Sequence, residues 1–238
     1  YAIAITGDNW ATTQWVQNDA TVGTTLGFED YLTYTGWGSA TGTVITGLKQ
    51  STTYKVRVKA IQGSFTESGL GPEAQATTSE PSLTFGVDAH SVAFQNLNAG
   101  NSYTDSSKST VLTTSTNAYN GYVINARTTS LLTSGGNTIA AFSGTNASPV
   151  SWTGTGFGYT TTDSSLTGGT ADRFTNGGAK YAGFTTSSPG DPVADHAGPV
   201  TTAIANEQFT VSYRVTVSDT QKSGIYTTTV LYMVVPEY

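Results

Sequence analysis

The sequence predicts an all-β protein built as two tandem β-sandwich domains, residues 1–78 and 82–238, joined by a linker at 79–81. Runs such as Tyr54-Lys55-Val56-Arg57-Val58-Lys59-Ala60 alternate apolar and polar side chains, the period of a strand with one buried and one wet face. No window sustains apolar spacing at three and four, and Gly and Thr interrupt every candidate helix. Only 11% of the 238 residues are charged, well under the typical quarter, so Thr, Ser, Gly and Asn fill the solvent-facing positions.

Along the first domain, Tyr54 to Ala60 reads as a strand. Leu48, Thr52 and Tyr54 fit a tyrosine corner, in which the phenol hydroxyl meets a backbone group a few residues upstream. With the loop Glu67-Ser68-Gly69-Leu70-Gly71-Pro72, this stretch resembles a fibronectin type III domain, although Gln50 stands where the family usually has proline. The resemblance implies that Tyr1-Ala2-Ile3-Ala4-Ile5 is the third strand, Val44-Ile45-Thr46-Gly47-Leu48 the fifth and Ala76-Thr77-Thr78 the closing one. Strands one and two, with the usual core tryptophan, have no counterpart.

The resemblance therefore implies an incomplete sandwich whose inner face of Ile3, Ile5, Val56 and Val58 is largely uncovered. Each fully buried aliphatic side chain is worth roughly 2 kcal/mol, so bare ones would remove much of a small domain's margin. Upstream residues, a preceding domain or strands donated by a neighbouring subunit would each fill the gap. The last is the receptor half of donor-strand complementation.

After Ser79-Glu80-Pro81-Ser82, Leu83-Thr84-Phe85 and Val92 to Leu97 read as an opening strand pair, followed by strands at Val111 to Thr116 and Gly121 to Ala126. Residues 133–199 are weakly periodic with aromatic islands, and read as short strands and loops capping the sandwich. Gln208 to Val217, a turn at Ser218 to Gly224, and Ile225 to Val235 read as a closing hairpin. Val92-x-Phe94-x-x-Leu97, Thr116 to Tyr122 and Ser223 to Tyr232 resemble β-sandwich modules of bacterial cell-surface proteins related to the WxL type. That resemblance implies a larger Ig-like or jelly-roll-like sandwich; the Trp-x-Leu signature is missing, so it implies no peptidoglycan binding.

A net charge of −6 with scattered basic residues argues against nucleic acid. Lys55, Arg57 and Lys59 alone form a row, read as a solvated face. The absence of cysteine removes disulfides and thiolate metal sites. No run approaches the roughly 20 apolar residues of a membrane-spanning helix. His90 and His196 lie in no nucleophile motif, and we expect no enzyme.

These features lead to the expectation of an extracellular structural protein of a microbial cell surface, in a surface layer, filament or stalk. It would self-assemble or join neighbouring surface proteins through strand edges and grooves. The assembly candidates are Tyr1, Ile3, Ile5, Val44, Ile45, Val56, Val58, Ile225, Val230 and Val235. The alternative is a carbohydrate-binding or adhesion module whose aromatic residues Trp152, Phe157 and Tyr159 stack on a glycan, although core packing is the commoner use of such rings. Asp191 and Asp195 could begin a calcium site, against the commoner reading of Asp residues capping their own loops. No other cofactor is expected. Asn146-Ala147-Ser148 fits a glycosylation sequon.

Overall fold

The computed structural model describes residues 1–63, 66–88, 90–95, 97–103, 108–200 and 202–238. It is nearly all β, with a single 3-10 turn at Phe28–Asp30 among the described residues. The chain divides into two compact units, Tyr1–Pro81 and Ser82–Tyr238.

The first unit holds β1 (Ala2–Thr6), β2 (Gln14–Val16), β3 (Val22–Gly23), β4 (Thr53–Lys59), β5 (Ile61–Gln62), β6 (Thr66–Glu67) and β7 (Ala74–Thr77). Five of them make an antiparallel sheet in the order β3-β2-β1-β4-β7, and β5 and β6 form a small hairpin. Tyr54 Oη accepts the Lys49 N–H at 2.9 Å, the hydrogen bond of a tyrosine corner.

Val44 to Leu48 forms no strand, a correction to its reading as the fifth. Its chain runs irregularly, tied by Thr46 N–H to the Ala20 carbonyl at 2.9 Å. Nor is β1 an edge, because it pairs with both β2 and β4.

Register puts Ile3, Ile5, Val16, Val56 and Val58 on one face of this sheet. Ile5 and Val16 are buried, whereas Val58 is 43% exposed and all of β7 is exposed. The face is thus covered over β1 and β2 and opens toward β4 and β7, so the expectation of a largely bare face fails at Ile5.

The opposite face is not the solvated row the sequence suggests. The Arg57 guanidinium lies 4.9 Å from the Trp10 ring centre and the Lys59 ammonium 5.3 Å from that of Trp15. Glu73 closes the row, pairing with Lys55 and Arg57 at 3.1 Å each and accepting from Trp10 Nε1 at 2.6 Å. Long basic stems packed on rings explain how three cations share one strand face.

The second unit holds β8 (Leu83–Val87), β9 (Ser102–Tyr103), β10 (Ser109–Thr116), β11 (Gly121–Thr128), β12 (Leu132–Ser134), β13 (Asn137–Ile139), β14 (Val150–Ser151), β15 (Gly156–Thr161), β16 (Lys180–Gly183), β17 (Asp191–Ala197), β18 (Ile204–Thr216) and β19 (Val230–Pro236). A seven-stranded sheet runs β14-β16-β15-β18-β10-β8 with β9 also on β18; a three-stranded sheet runs β17-β11-β19; β12 and β13 form a hairpin.

The two larger sheets share one core, with Leu112, Ile124, Tyr159, Phe174, Val193 and Val211 buried in it. Strand alternation supplies the inner face, as in β10, whose burial switches at every residue. Hydrogen bonds cross between the sheets: Tyr122 Oη to Glu207 at 2.6 Å, and Thr161 Oγ1 to the Val193 carbonyl at 2.6 Å.

Two further expectations are corrected here. β18 and β19 do not form a hairpin; they lie in different sheets. The connector between Thr216 and Val230 is far longer than the two to five residues of a tight hairpin, and spans the roughly 10 Å between stacked sheets. Val92 to Gln95 and Leu97 carry the burial pattern of a strand but belong to none, while Asn96 lies outside the described residues.

Candidate assembly site

The strand orders leave β8 at the end of one sheet and β19 at the end of the other. Both border the same trench of about 1090 Å³, larger than most small-molecule sites. Its walls are Phe85 and Val87 of β8 and Val230 and Tyr232 of β19; Phe157 and Tyr213 lie deeper. The lining continues through residues 90–94 and 97–99, of which Val92, Phe94 and Leu97 pack against the core, and through connector residues 218–219 and 221–229.

Three buried or half-buried hydroxyls in the trench satisfy one another. Tyr213 Oη and Tyr232 Oη share a hydrogen bond of 2.6 Å, and Tyr213 also donates to Thr110 Oγ1 at 2.8 Å. Burial pushes both phenols up, Tyr232 well above the ordinary range, so neither ionises near neutrality. The lining mixes Val, Leu and Phe side chains with many Ser and Thr, and besides its tyrosines the titratable residues in it are His90, Asp219 and Lys222.

The sequence-derived assembly candidates divide between the units. Val230 lines the trench, Val235 sits on the outward face of β19 with Leu231 and Met233, and Ile225 in the connector is 85% exposed. In the first unit, Val44 and Val58 are exposed, Ile3, Ile45 and Val56 are half-buried, and Ile5 is core. Tyr1 is exposed, but its ammonium donates to the Leu32 carbonyl at 2.6 Å and its carbonyl accepts from Trp37 Nε1 at 2.8 Å.

The glycan-stacking candidates are placed otherwise. Phe157 and Tyr159 are 7% and 0% exposed, so as core rings they present no face to a sugar. The Trp152 indole is stacked on Phe142 at 4.1 Å between centres, faces Arg214 at 5.1 Å and donates to Thr216 Oγ1 at 2.9 Å. Its ring is engaged in packing.

Asp191 and Asp195 do not form a joint metal site, because they stand four positions apart on β17, about 13 Å along the strand. Asp195 is buried, and its Oδ2 accepts the Thr167 N–H at 2.9 Å and the Thr167 hydroxyl. Asp163 Oδ2 accepts the Asp195 N–H at 2.7 Å, and burial raises the Asp163 carboxyl above its ordinary range. Among the described residues, no three His, Asp or Glu side chains form a metal-binding group.

These carboxylates instead fasten a loop that carries the buried Arg173. Its guanidinium donates to the carbonyls of Asn146, Leu166 and Thr167 and to Asn146 Oδ1. Asn146 in turn donates to Tyr159 Oη at 2.8 Å and to the Pro192 carbonyl at 2.7 Å, so the folded sequon is closed to modification.

The sequence reading missed the trench. Its signal was present in the apolar periodicity of Val92, Phe94 and Leu97 and in the length of the connector after β18, but strand periodicity does not say which sheet a strand joins. No protein-family model, curated protein or solved structure matches the chain significantly. No helix among the described residues is long and apolar enough to cross a membrane.

Proposed function

We propose that this chain is an extracellular structural protein of a microbial cell surface, a subunit or segment of a surface layer, filament or stalk, that associates through strand edges and grooves. The trench between β8 and β19 carries the reading. A sandwich open along one side leaves both apolar surface and strand edges unsatisfied, and strand addition supplies partners for both. The weakly charged, Thr-rich composition supports it, since little electrostatic repulsion opposes close packing.

On the same reading, the first unit is a fibronectin type III-like module, supported by the bond from Lys49 to Tyr54 and by its β1-β4-β7 pairing. The second is a surface-protein sandwich of the kind its terminal sequences resemble. Negative-stain electron microscopy with light scattering of the purified chain tests the proposal. Ordered polymers or a concentration-dependent mass support it; a strict monomer up to millimolar concentration would refute it.

A further inference from the structure

We infer that the trench of the second unit accepts one β-strand from a second copy of this chain, the donor being Ser91–Gln95. The inference rests on the assembly reading above and adds the place where copies join and the segment that enters.

Hydrogen-bond alternation defines the open edges. Asp88 N–H donates to the Val111 carbonyl at 3.2 Å and the Ser82 carbonyl accepts from Asn117 N–H at 3.4 Å, so even-numbered residues of β8 face β10. Leu83, Phe85 and Val87 therefore turn their peptide groups outward. On β19, Glu237 N–H donates to the Gly121 carbonyl and the Thr229 carbonyl accepts from Thr129 N–H, which turns the peptide groups of Val230, Tyr232 and Val234 away from β11 toward the open edge. Pro236 falls on that same side, where its missing N–H breaks no ladder bond. The two edges span about 17 and 23 Å, room for an added strand of five to seven residues.

Charge and pattern select the donor. Neutral walls and un-ionised phenols favour an uncharged strand with apolar side chains at alternate positions. Ser91–Gln95 has that chemistry: Val92 and Phe94 are half-buried against the core, Ser91, Ala93 and Gln95 are exposed, and the run belongs to no sheet. Phe94 already meets Phe157 edge-on at 6.4 Å between centres. Once the resident Ser91–Gln95 lifts out, the same segment from a second copy fits the seats it leaves, and such exchange of an identical element is a low-cost route to assembly.

The cysteine-free sequence makes disulfide trapping a clean test. One population of the full chain carries Ala93→Cys and the other Thr84→Cys or Gly86→Cys, all at exposed positions. After mixed refolding and oxidation, the expected product is a covalent heterodimer joining position 93 to position 84 or 86. Leu83→Pro removes an outward N–H at the start of β8 and leaves the β10 ladder intact, with circular dichroism monitoring the fold. It should weaken self-association about tenfold or more, the effect of losing some 1.4 kcal/mol. Oligomers that give no such heterodimer and tolerate Leu83→Pro would overturn the inference while leaving the assembly reading standing. A monomer throughout would overturn both.

Discussion

Tyr54 ties the irregular segment before β4 to the sheet through one hydroxyl, so Tyr54→Phe removes a single hydrogen bond and little packing. The Lys49 N–H it leaves is near solvent, and the expected loss is about 1 kcal/mol, read as a lower melting temperature of the first unit. This contact was legible in the spacing of Leu48, Thr52 and Tyr54. The cover over the basic row was not, because alternation fixes which face a side chain takes but not what comes to lie on it. Trp10 and Glu73 reach Arg57 from distant parts of the chain.

The carboxylates set opposite pH responses in the two units. In the first, hydrogen bonds to Thr12 and Thr6 lower the Asp8 carboxyl to about 2, and bonds to Lys59 and to Trp10 lower Glu67 and Glu73. Lowered carboxyls contribute stability above their unfolded range that is lost as pH falls through the folded values. Their exposure keeps each contribution small. In the second, burial raises Asp163 and Asp191. Their contribution is fully present below the ordinary carboxyl range and is lost as pH rises through the raised values. Acidification from neutrality toward pH 4 should therefore favour the second unit relative to the first in calorimetry, and Asp163→Asn should flatten the second unit's response.

Among the elements, β11 is the pivot of the small sheet, held between β17 and β19. Its first residue, Gly121, has φ 83°, and a Cβ there would lie 1.6 Å from the His196 carbonyl oxygen. Gly121→Ala should cost about 4 kcal/mol, a drop on the order of 10 °C in the melting temperature of the second unit. Gly154→Ala shares the φ of 83° but meets nothing within 4 Å, and should cost only about 1–2 kcal/mol. The strand at β11 and most of β10 and β18 were readable from alternation alone. The partners of β19 and the Val92 to Leu97 run were not, because a strand with an apolar inner face reads the same in either sheet of a sandwich, and only the connector's length bears on the choice.

At the scale of the whole molecule, composition and periodicity carried the all-β class, while the site depended on long-range placement. The apolar character of Val230 was visible in the sequence, yet its position across a trench from Val87 follows from β8 and β19 ending two different sheets on the same side. Rings that composition offered to a ligand, Phe157 and Tyr159, went to the core, where both pack on Phe184. The open side between the two edges is the feature on which the assembly proposal rests.

The most direct measurement is the mass distribution of the full chain by analytical ultracentrifugation, wild type beside Leu83→Pro, with electron microscopy of the same samples. Wild-type oligomers or polymers that dissociate in the variant while circular dichroism stays unchanged are the expected result. A wild type that remains a single 24.8 kDa species at every concentration would contradict it.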